Sequence, residues 1–183
     1  MWQHRRVIVA GGTAGFGLVL AEHLLAAGAR VLIVGRSPER LERGRDHLRS
    51  LVSPTDAGAG SRVAGLVADL SQPGEGRRIV AHTVQLWGSV DDLFFSVGKS
   101  GRARLLDTPA VGLHAALEAN LLCAVEITQA AAAGVATAGG QIVYIGSLAG
   151  KLVTPFMGPY AVAKSALAAY ADGVRLELVP RAG

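Results

Sequence analysis

Short apolar runs alternate with longer helical patterns along this 183-residue chain, and no other feature restricts its fold as much. The runs are continuously apolar, which is typical of strands covered by helices on both faces. The alternation predicts βαβ units, and therefore an α/β fold with a doubly wound parallel sheet. The predicted strands are residues 6–10, 30–35, 62–67, 92–97 and 141–145, and the predicted helices are residues 15–27, 38–52, 76–87, 109–136 and 159–178.

The whole chain, residues 1–183, is predicted to form a single domain. Half of its residues are hydrophobic, so it can bury one sizeable core. Residues 53–61 contain Pro54, Gly58 and Gly60 and predict a polar surface loop. They do not predict a linker between domains, because the strand and helix pattern resumes directly after them.

A glycine-rich turn follows the first predicted strand and opens directly into a helix. Glycines permit close backbone approach, and the helix N-terminus offers free N–H groups and a positive dipole end to a pyrophosphate. Its position inside a βαβ unit indicates dinucleotide binding in a Rossmann fold, beyond a mere glycine-rich turn. The candidate cofactor-binding residues in this turn are Gly11, Thr13, Gly15, Phe16 and Gly17.

The end of the second predicted strand bears on the choice between NAD and NADP. A carboxylate that accepts the adenosine ribose hydroxyls is expected there, but the sequence has Gly35, Arg36 and Ser37. A guanidinium can bind a 2′-phosphate through two hydrogen bonds, so Arg36 and Ser37 favour NADP(H) over NAD(H). The alternative is that Arg36 only pairs with Glu39 at the surface.

Asp69 and Leu70 follow the third predicted strand and are further candidates for the cofactor site. A carboxylate at this place can hydrogen-bond an adenine, and it can equally cap a turn. The spacing of the residues leaves both roles open for Asp69.

A second phosphate motif, Gly98-Lys99-Ser100, ends like the P-loop pattern GxxxxGK[ST]. The first glycine of that pattern is replaced by Leu93, which lies inside a predicted strand. Because the backbone of a strand cannot form the phosphate-binding nest, the sequence argues against a P-loop nucleotidase.

Tyr160 and Lys164 are four residues apart in the last predicted helix and share one of its faces. An ammonium near a phenol favours the ionised phenol, and a phenol with its usual pKa of about 10 needs such help to move protons near neutral pH. Tyrosine and lysine at this separation also form ordinary surface pairs, so the pair alone leaves catalysis open. Ser147 ends an apolar run thirteen residues before Tyr160.

Taken together, these residues resemble the short-chain dehydrogenase/reductase family in its compact, non-extended branch. The similarity runs nearly from end to end, and its motifs occur in the family's order on the expected elements. The matches cover the GxxxGxG cofactor loop, the adenine-contacting Asp, the mid-helix Asn and the Ser, Tyr and Lys of the family: Gly11, Gly15, Gly17, Asp69, Asn120, Ser147, Tyr160 and Lys164.

The resemblance implies reversible hydride transfer between a nicotinamide and a carbonyl or alcohol carbon. Tyr160 would be the general acid in reduction and the general base in oxidation, while Lys164 would assist through its charge and hold the nicotinamide ribose. Ser147 would hydrogen-bond the substrate oxygen, and Asn120 would anchor a water that links Lys164 to solvent. The simpler alternatives are that Ser147 only ends a strand and that Asn120 is a satisfied polar group inside a helix.

Two segments depart from the family pattern. The Asn-Asn-Ala-Gly after the fourth strand is Phe95-Ser96-Val97-Gly98 here, so only the cofactor-lining Gly98 is kept and Phe95 needs different packing. The chain also stops at Gly183, where compact family members continue with a sixth strand, a helical loop over the substrate and a seventh strand. The expectation is a C-terminally truncated chain whose fifth strand forms a bare sheet edge.

The expected function is that of an NADP(H)-dependent oxidoreductase that reduces a carbonyl or oxidises a secondary alcohol. The alternative is a catalytically impaired or inactive protein that only binds NADP or assembles with other subunits. The family resemblance also implies a homodimer or homotetramer that pairs through the helices at 109–136 and 159–178. Val153, Phe156 and Met157 favour a lipophilic small-molecule substrate.

Composition argues against several other classes of protein. The net charge of +4 is scattered, without the clustered basic surface of a nucleic-acid-binding protein. Cys123 is the single cysteine and the five histidines lack ligand spacing, so neither a disulfide nor a metal site is expected. Glu126 and Gln129 interrupt the alanine-rich stretch 121–135, so no membrane span is predicted. The expected location is cytoplasmic.

Overall fold

A computed structural model describes residues 2–52 and 62–178 of the chain. The five strands are β1 Arg6–Ala10, β2 Arg30–Gly35, β3 Val63–Val67, β4 Asp92–Phe95 and β5 Ile142–Tyr144. The six α-helices of the described residues are α1 Gly15–Ala26, α2 Pro38–Ser50, α3 Glu75–Trp87, α4 Ala110–Leu117, α5 Cys123–Thr137 and α6 Gly158–Leu178. The predicted loop at 53–61 and the last residues, 179–183, lie outside the described residues.

All strand pairs of the sheet are parallel, in the order β3-β2-β1-β4-β5. The predicted doubly wound α/β fold is therefore confirmed. Because the chain turns back between β1 and β4, these neighbouring strands form a topological switch point, and a crevice opens beyond their carboxyl ends. β5 lies at one end of the strand order, so within the described residues its outer side forms an edge of the sheet.

Helices cover both faces of the sheet, which explains why the strands are continuously apolar. Successive residues of β1 point to opposite faces: Val7 and Val9 pack with residues of α1 and α2, whereas Ile8 and Ala10 pack with residues of α3, α5 and α6. Both sets are fully buried. A strand between two apolar layers has no position for a polar side chain, so its sequence reads as one apolar run.

Phe95 is accommodated in the core layer formed with α3, α5 and α6. It is fully buried, and its ring centroid lies 6.3 Å from that of Tyr144 on the neighbouring strand. The hydroxyl groups of Tyr144 and Thr128 are hydrogen-bonded at 2.8 Å, and burial raises the pKa of Tyr144 to about 12. The departure from the family pattern at Phe95 thus enlarges the core.

The predicted helix at 109–136 is confirmed as an uninterrupted helical run, but its middle turn is π-helical. A π-helical turn, Glu118–Leu122, separates α4 from α5. The side chain of Asn120 lies inside this turn and donates one hydrogen bond to the carbonyl of Ala116 and another to the carbonyl of Lys99, each at 3.0 Å. A side chain that bonds the backbone in this way competes with the helical ladder, and widened turns arise where the ladder is disturbed.

The run of helix from Ala110 to Thr137 is long and apolar enough to cross a membrane by length and composition, with a mean hydropathy of 1.4 in its best window. The two polar residues at 126 and 129 therefore do not exclude a span by this measure, contrary to the prediction. A single such helix is weak evidence, because the core helix of a protein that never enters a membrane passes the same test. In this fold, Glu126 accepts hydrogen bonds from the N–H groups of Gly74 and Gly76 at 2.8 and 3.2 Å and so caps α3.

Two ion pairs join β1 to the start of β4 at the end of the sheet opposite the crevice. Arg6 binds the carboxylate of Asp91 through two side-chain N–H groups, each at 2.8 Å, and its own backbone N–H donates to the same carboxylate. Arg5 pairs with Asp92 at 2.5 Å. Both carboxylates are buried, so these pairs hold the register of the two central strands.

Candidate active site

A cleft of about 710 Å³ opens at the carboxyl ends of the strands, next to the switch point between β1 and β4. It lies where the loops after β1, β2, β3 and β4 meet. The predicted cofactor residues that line it are Gly11, Thr13, Arg36, Ser37, Asp69, Leu70 and Gly98. Residues from four separate parts of the sequence thus line one cleft.

The glycine-rich turn packs directly under the first turn of α1. A β-carbon on Gly17 would collide with the carbonyl of Gly11, so only glycine permits this approach. The N-cap position, Ala14, makes no side-chain cap, which leaves the first N–H groups of α1 available to a ligand beside the cleft. Gly15, Phe16 and Gly17 form that first turn and are not among the residues lining the cleft.

Two arginines lie at the start of α2, close to the glycine-rich turn, where Gly35 packs against the side chain of Thr13. Ser37 caps this helix by accepting a hydrogen bond from the backbone N–H of Arg40 at 3.2 Å, and both Arg36 and Arg40 line the cleft. The Ser37 hydroxyl donates to Glu39 at 2.7 Å. In residues 2–52 and 62–178 no carboxylate forms an ion pair with Arg36, so the surface pair with Glu39 is not present.

Asp69 both shapes a turn and lines the cleft. Its carboxylate accepts hydrogen bonds from the backbone N–H and the hydroxyl of Ser71, at 3.1 and 2.9 Å. The capping role that the sequence left open is therefore present in the structure. It holds the carboxylate in place beside the cleft.

Lys164 is almost completely buried, with 5% of its surface exposed. Its ammonium donates a hydrogen bond of 3.1 Å to the carbonyl of Ile145, just after β5, and lies 5.9 Å from the ring centroid of Tyr160. No carboxylate of the described residues forms an ion pair with it. Burial lowers the pKa of Lys164, because a buried site disfavours the charged ammonium. With no described carboxylate to pair with it, this ammonium faces the phenol one turn before it on α6.

Ser147 lies at the start of a short 3₁₀ turn, Leu148–Gly150, and its hydroxyl accepts a hydrogen bond of 3.1 Å from the N–H of Ala149. This turn packs on α6. The hydroxyl of Ser165 donates to the carbonyl of Gly150 at 3.1 Å, and a β-carbon on Gly150 would come within 2.9 Å of the carbonyl of Lys164. Ser147 therefore begins the turn that follows β5 and is fixed beside the part of α6 that carries Lys164.

Asn120 connects the long helix to the loop after β4. It is fully buried, and besides its two donated bonds its side-chain oxygen accepts a bond of 3.2 Å from the backbone N–H of Lys99. The backbone of Lys99 is thus held at both its N–H and its carbonyl. Every polar atom of the Asn120 side chain is engaged, which rigidifies this loop.

Gly98 joins the cleft to the Tyr160 and Lys164 pair. It lines the cleft, and a β-carbon on it would lie 2.8 Å from the side-chain oxygen of Asn120 and 3.3 Å from the ammonium of Lys164. The ammonium is therefore directly behind the cleft wall. Of the four predicted catalytic residues, none lines the cleft itself, but two of them touch the glycine that does.

The structure adds residues that sequence reasoning did not assign to the site. Arg40 lies in the first turn of α2, four residues after Arg36, so its closeness to Arg36 in the sequence could have indicated it. Glu118 and Cys123 also line the cleft, and no sequence signal indicated them because the π-helical turn positions them. Burial raises the pKa of Cys123 to about 11, so this thiol is a poor nucleophile. Within the described residues, no three side chains of His, Cys, Asp or Glu lie together as a metal site.

A family model described as short chain dehydrogenase matches residues 5–182. The chain belongs to the short-chain dehydrogenase family. The resemblance seen in the sequence is confirmed, and members of this family are oxidoreductases that use NAD(P) on CH–OH groups. The cleft fits a dinucleotide, because β-carbons on Gly11 and Gly17 of its glycine turn would collide with neighbouring backbone and the N–H groups at the start of α1 are uncapped.

Dehydrogenase/reductase SDR family member 7B from Rattus norvegicus is 33% identical over 173 residues, which cover 94% of this chain and 53% of that protein. Among solved structures, a short-chain dehydrogenase/reductase of unknown function from Caenorhabditis elegans, with cofactor, matches with a TM-score of 0.85 at 27% identity. The match covers 97% of this chain and 65% of that chain. An NAD⁺-bound xylitol dehydrogenase has a TM-score of 0.88 at 25% identity, covering 98% and 66%. The chain thus spans about half the length of such curated relatives.

Proposed function

We propose that this chain is an NADP(H)-dependent oxidoreductase that reduces a carbonyl group or oxidises a secondary alcohol. The observation that carries the proposal is the position of Gly98, which lies between the dinucleotide cleft and the buried ammonium of Lys164. A proton donor on α6 and a hydride donor in the cleft would therefore meet across one glycine. That juxtaposition is what reduction of a carbonyl requires.

The bound dinucleotide would supply the hydride through its nicotinamide. Tyr160 donates its hydroxyl proton to the carbonyl oxygen in reduction and recovers a proton in oxidation. The ammonium of Lys164, 5.9 Å from the phenol ring, stabilises the phenolate that is left, because no described carboxylate compensates its charge. Ser147 orients the substrate oxygen, and Asn120 acts through the backbone of Lys99 to keep the wall beside Lys164 in place.

A positively charged subsite at the start of α2 supports NADP(H) over NAD(H). Arg36 and Arg40 line this end of the cleft together with the helix cap Ser37. A 2′-phosphate would meet two guanidinium groups there, whereas the free hydroxyls of NAD(H) are usually bound by a carboxylate, which the cleft-lining residues after β2 do not include. The binding-only alternative is not favoured, because Ser147, Lys164 and Asn120 are all held by specific hydrogen bonds.

Replacing Arg36 by Ala is expected to raise the dissociation constant for NADPH by about 10-fold to 100-fold, since hydrogen bonds to a charged group are lost. The affinity for NADH, which lacks the 2′-phosphate, is expected to change little. Fluorescence titration with both cofactors measures the two constants. Arg43→Ala on the exposed face of the same helix, outside the cleft, is the matched control. An equal loss of NADH and NADPH affinity in Arg36→Ala would refute the assignment.

The activity itself is tested by following NADPH oxidation at 340 nm against a panel of ketones and aldehydes. Turnover with at least one member supports the oxidoreductase, whereas saturable NADPH binding without any turnover supports the binding-only alternative. Apolar side chains around Ser147 and Tyr160 are exposed: Leu148 by 79%, Val153 by 70% and Phe156 by 51%. We therefore propose that the panel's lipophilic ketones are the better substrates.

Replacing Gly98 by Ala is expected to lower kcat at least about tenfold, because the added β-carbon displaces the side chain of Asn120 and crowds the ammonium of Lys164. The matched control is Gly101→Ala in the same loop, where a β-carbon meets no atom within 4 Å. Steady-state kinetics of both variants, with thermal unfolding as a check on folding, measure the difference. Equal kcat values for the two alanine variants would contradict the role given to Gly98.

The family assignment also supports two proposals about the whole protein. We propose a homodimer or homotetramer that pairs through the helices at 109–136 and 159–178, where Val111 and Leu176 are exposed by 75% and 68%. We further propose a cytoplasmic location. Sedimentation velocity and microscopy of a tagged chain test these two proposals separately.

A further inference from the structure

The segment Gly98-Lys99-Ser100 has chemistry that the proposed function does not yet use. Gly98 is needed for space, but the side chain of Lys99 has no assigned task. Lys99 is exposed and lines the cleft. Across residues 2–52 and 62–178 it takes part in no ion pair, so its ammonium is available to a ligand.

The backbone of Lys99 is unusually well fixed for an exposed residue on a loop. Asn120 holds its N–H at 3.2 Å and its carbonyl at 3.0 Å. Its neighbour Gly98 lies against the ammonium of Lys164. A ligand therefore meets a cation whose base is already ordered, so less conformational entropy is lost on binding than at a free loop.

The other charges of the cleft are grouped elsewhere. Arg36, Arg40 and Asp69 lie in the segments after β2 and β3, and Glu118 lies on the π-helical turn. Lys99 follows β4, on the other side of β1 in the sheet. Lys99 instead adjoins the glycine next to Lys164, at the reaction end. The lysine is thus a cation at the place where a substrate, and not the adenosine end of the cofactor, would lie.

We propose that Lys99 is a specificity-determining residue that binds a carboxylate of the carbonyl substrate, which makes keto acids the preferred substrate class. This inference rests on the proposed oxidoreductase activity. It also rests on a cofactor that binds with its adenosine end near Arg36 and its nicotinamide end near Lys164. A lysine ammonium provides a compact charge with three donors on a flexible stem, which suits a carboxylate at a variable distance from the reacting carbonyl. The exposed apolar side chains at the mouth complement the hydrocarbon part of such a molecule.

The test compares a long-chain keto acid with its methyl ester at saturating NADPH. For the unaltered chain, kcat/KM is expected to be higher for the acid, and Lys99→Gln is expected to lower the ratio of acid to ester about tenfold. Lys99→Arg keeps the charge and is expected to keep most of the preference. Arg77→Gln, at an exposed cation on α3 outside both the cleft and its mouth, is the matched control and leaves the ratio unchanged.

A ratio that stays the same in Lys99→Gln overturns the proposal. If, in addition, the NADPH dissociation constant rises in that variant, the anion bound by Lys99 is the pyrophosphate of the cofactor. If no ketone is turned over at all, the proposed function fails, and the Lys99 assignment is then measured separately. Calorimetric binding of the keto acid to the NADPH complex is expected to weaken about tenfold in Lys99→Gln, and equal binding would overturn the assignment independently of turnover.

Discussion

Replacing Tyr160 by Phe is expected to lower kcat for carbonyl reduction by about 100-fold to 10,000-fold, the usual contribution of a positioned general acid. The variant removes the one hydroxyl that α6 places on the same face as the buried ammonium of Lys164, and it keeps the ring that the ammonium lies near. Binding of NADPH is expected to persist, because the cleft residues are unchanged. Steady-state kinetics and a fluorescence titration measure the two quantities.

A matched control is available on the same helix. Tyr170→Phe also removes one phenolic hydroxyl from α6. The ring centroid of Tyr170 lies 6.1 Å from that of Tyr144, and Tyr170 is not among the residues nearest to a β-carbon on Gly98 beside Lys164. Its kcat is expected to remain within about twofold of the original value, as for a substitution that leaves transition-state contacts intact. If Tyr160→Phe keeps more than a tenth of the original kcat, another group delivers the proton and the role proposed for Tyr160 is wrong.

Replacing Arg6 by Met is expected to lower the free energy of unfolding by about 2–3 kcal/mol, because a buried carboxylate loses its partner. The Asp91 side chain is 5% exposed and the Arg6 side chain 33% exposed, so the carboxylate cannot recover its hydration. Urea unfolding measures the loss. Arg104→Met is the control, since the pair of Arg104 with Asp107 is exposed on both sides and is worth about 0–1 kcal/mol.

The same ion pair predicts a pH dependence of stability. Burial acts to raise the pKa of Asp91, but hydrogen bonds from Arg6 and Ser89 outweigh it and hold that pKa below its ordinary value of 3.8. The stabilisation is therefore fully present above about pH 4 and is lost as the pH falls through the lowered pKa of the folded state. In Arg6→Met the acid limb of the stability curve is expected to flatten. A limb parallel to that of the original chain would show that Arg6 does not control Asp91.

The range of the interactions explains which parts of the fold could be predicted from the sequence. The strands and helices were predicted to within a few residues, since apolar runs and helical spacing are local patterns. The π-helical turn between α4 and α5 was not predicted, because the Asn120 side chain inside it bonds the carbonyl of Lys99, twenty-one residues earlier in the chain. The apolar helix from 110 to 137 illustrates the same limit, since composition alone does not state that Glu126 caps α3.

By itself, the sequence determined the alternation of strands and helices, the glycine turn that permits close backbone approach and the four-residue spacing of Tyr160 and Lys164. Only the tertiary structure decided that Gly98 separates the cleft from the Lys164 ammonium, and that Arg40, Glu118 and Lys99 belong to the same cleft. The physical reason is the range of the interactions. Periodicity and glycine conformations act within a few residues, whereas the cleft forms where the ends of parallel strands, distant in sequence, meet at one edge of the sheet.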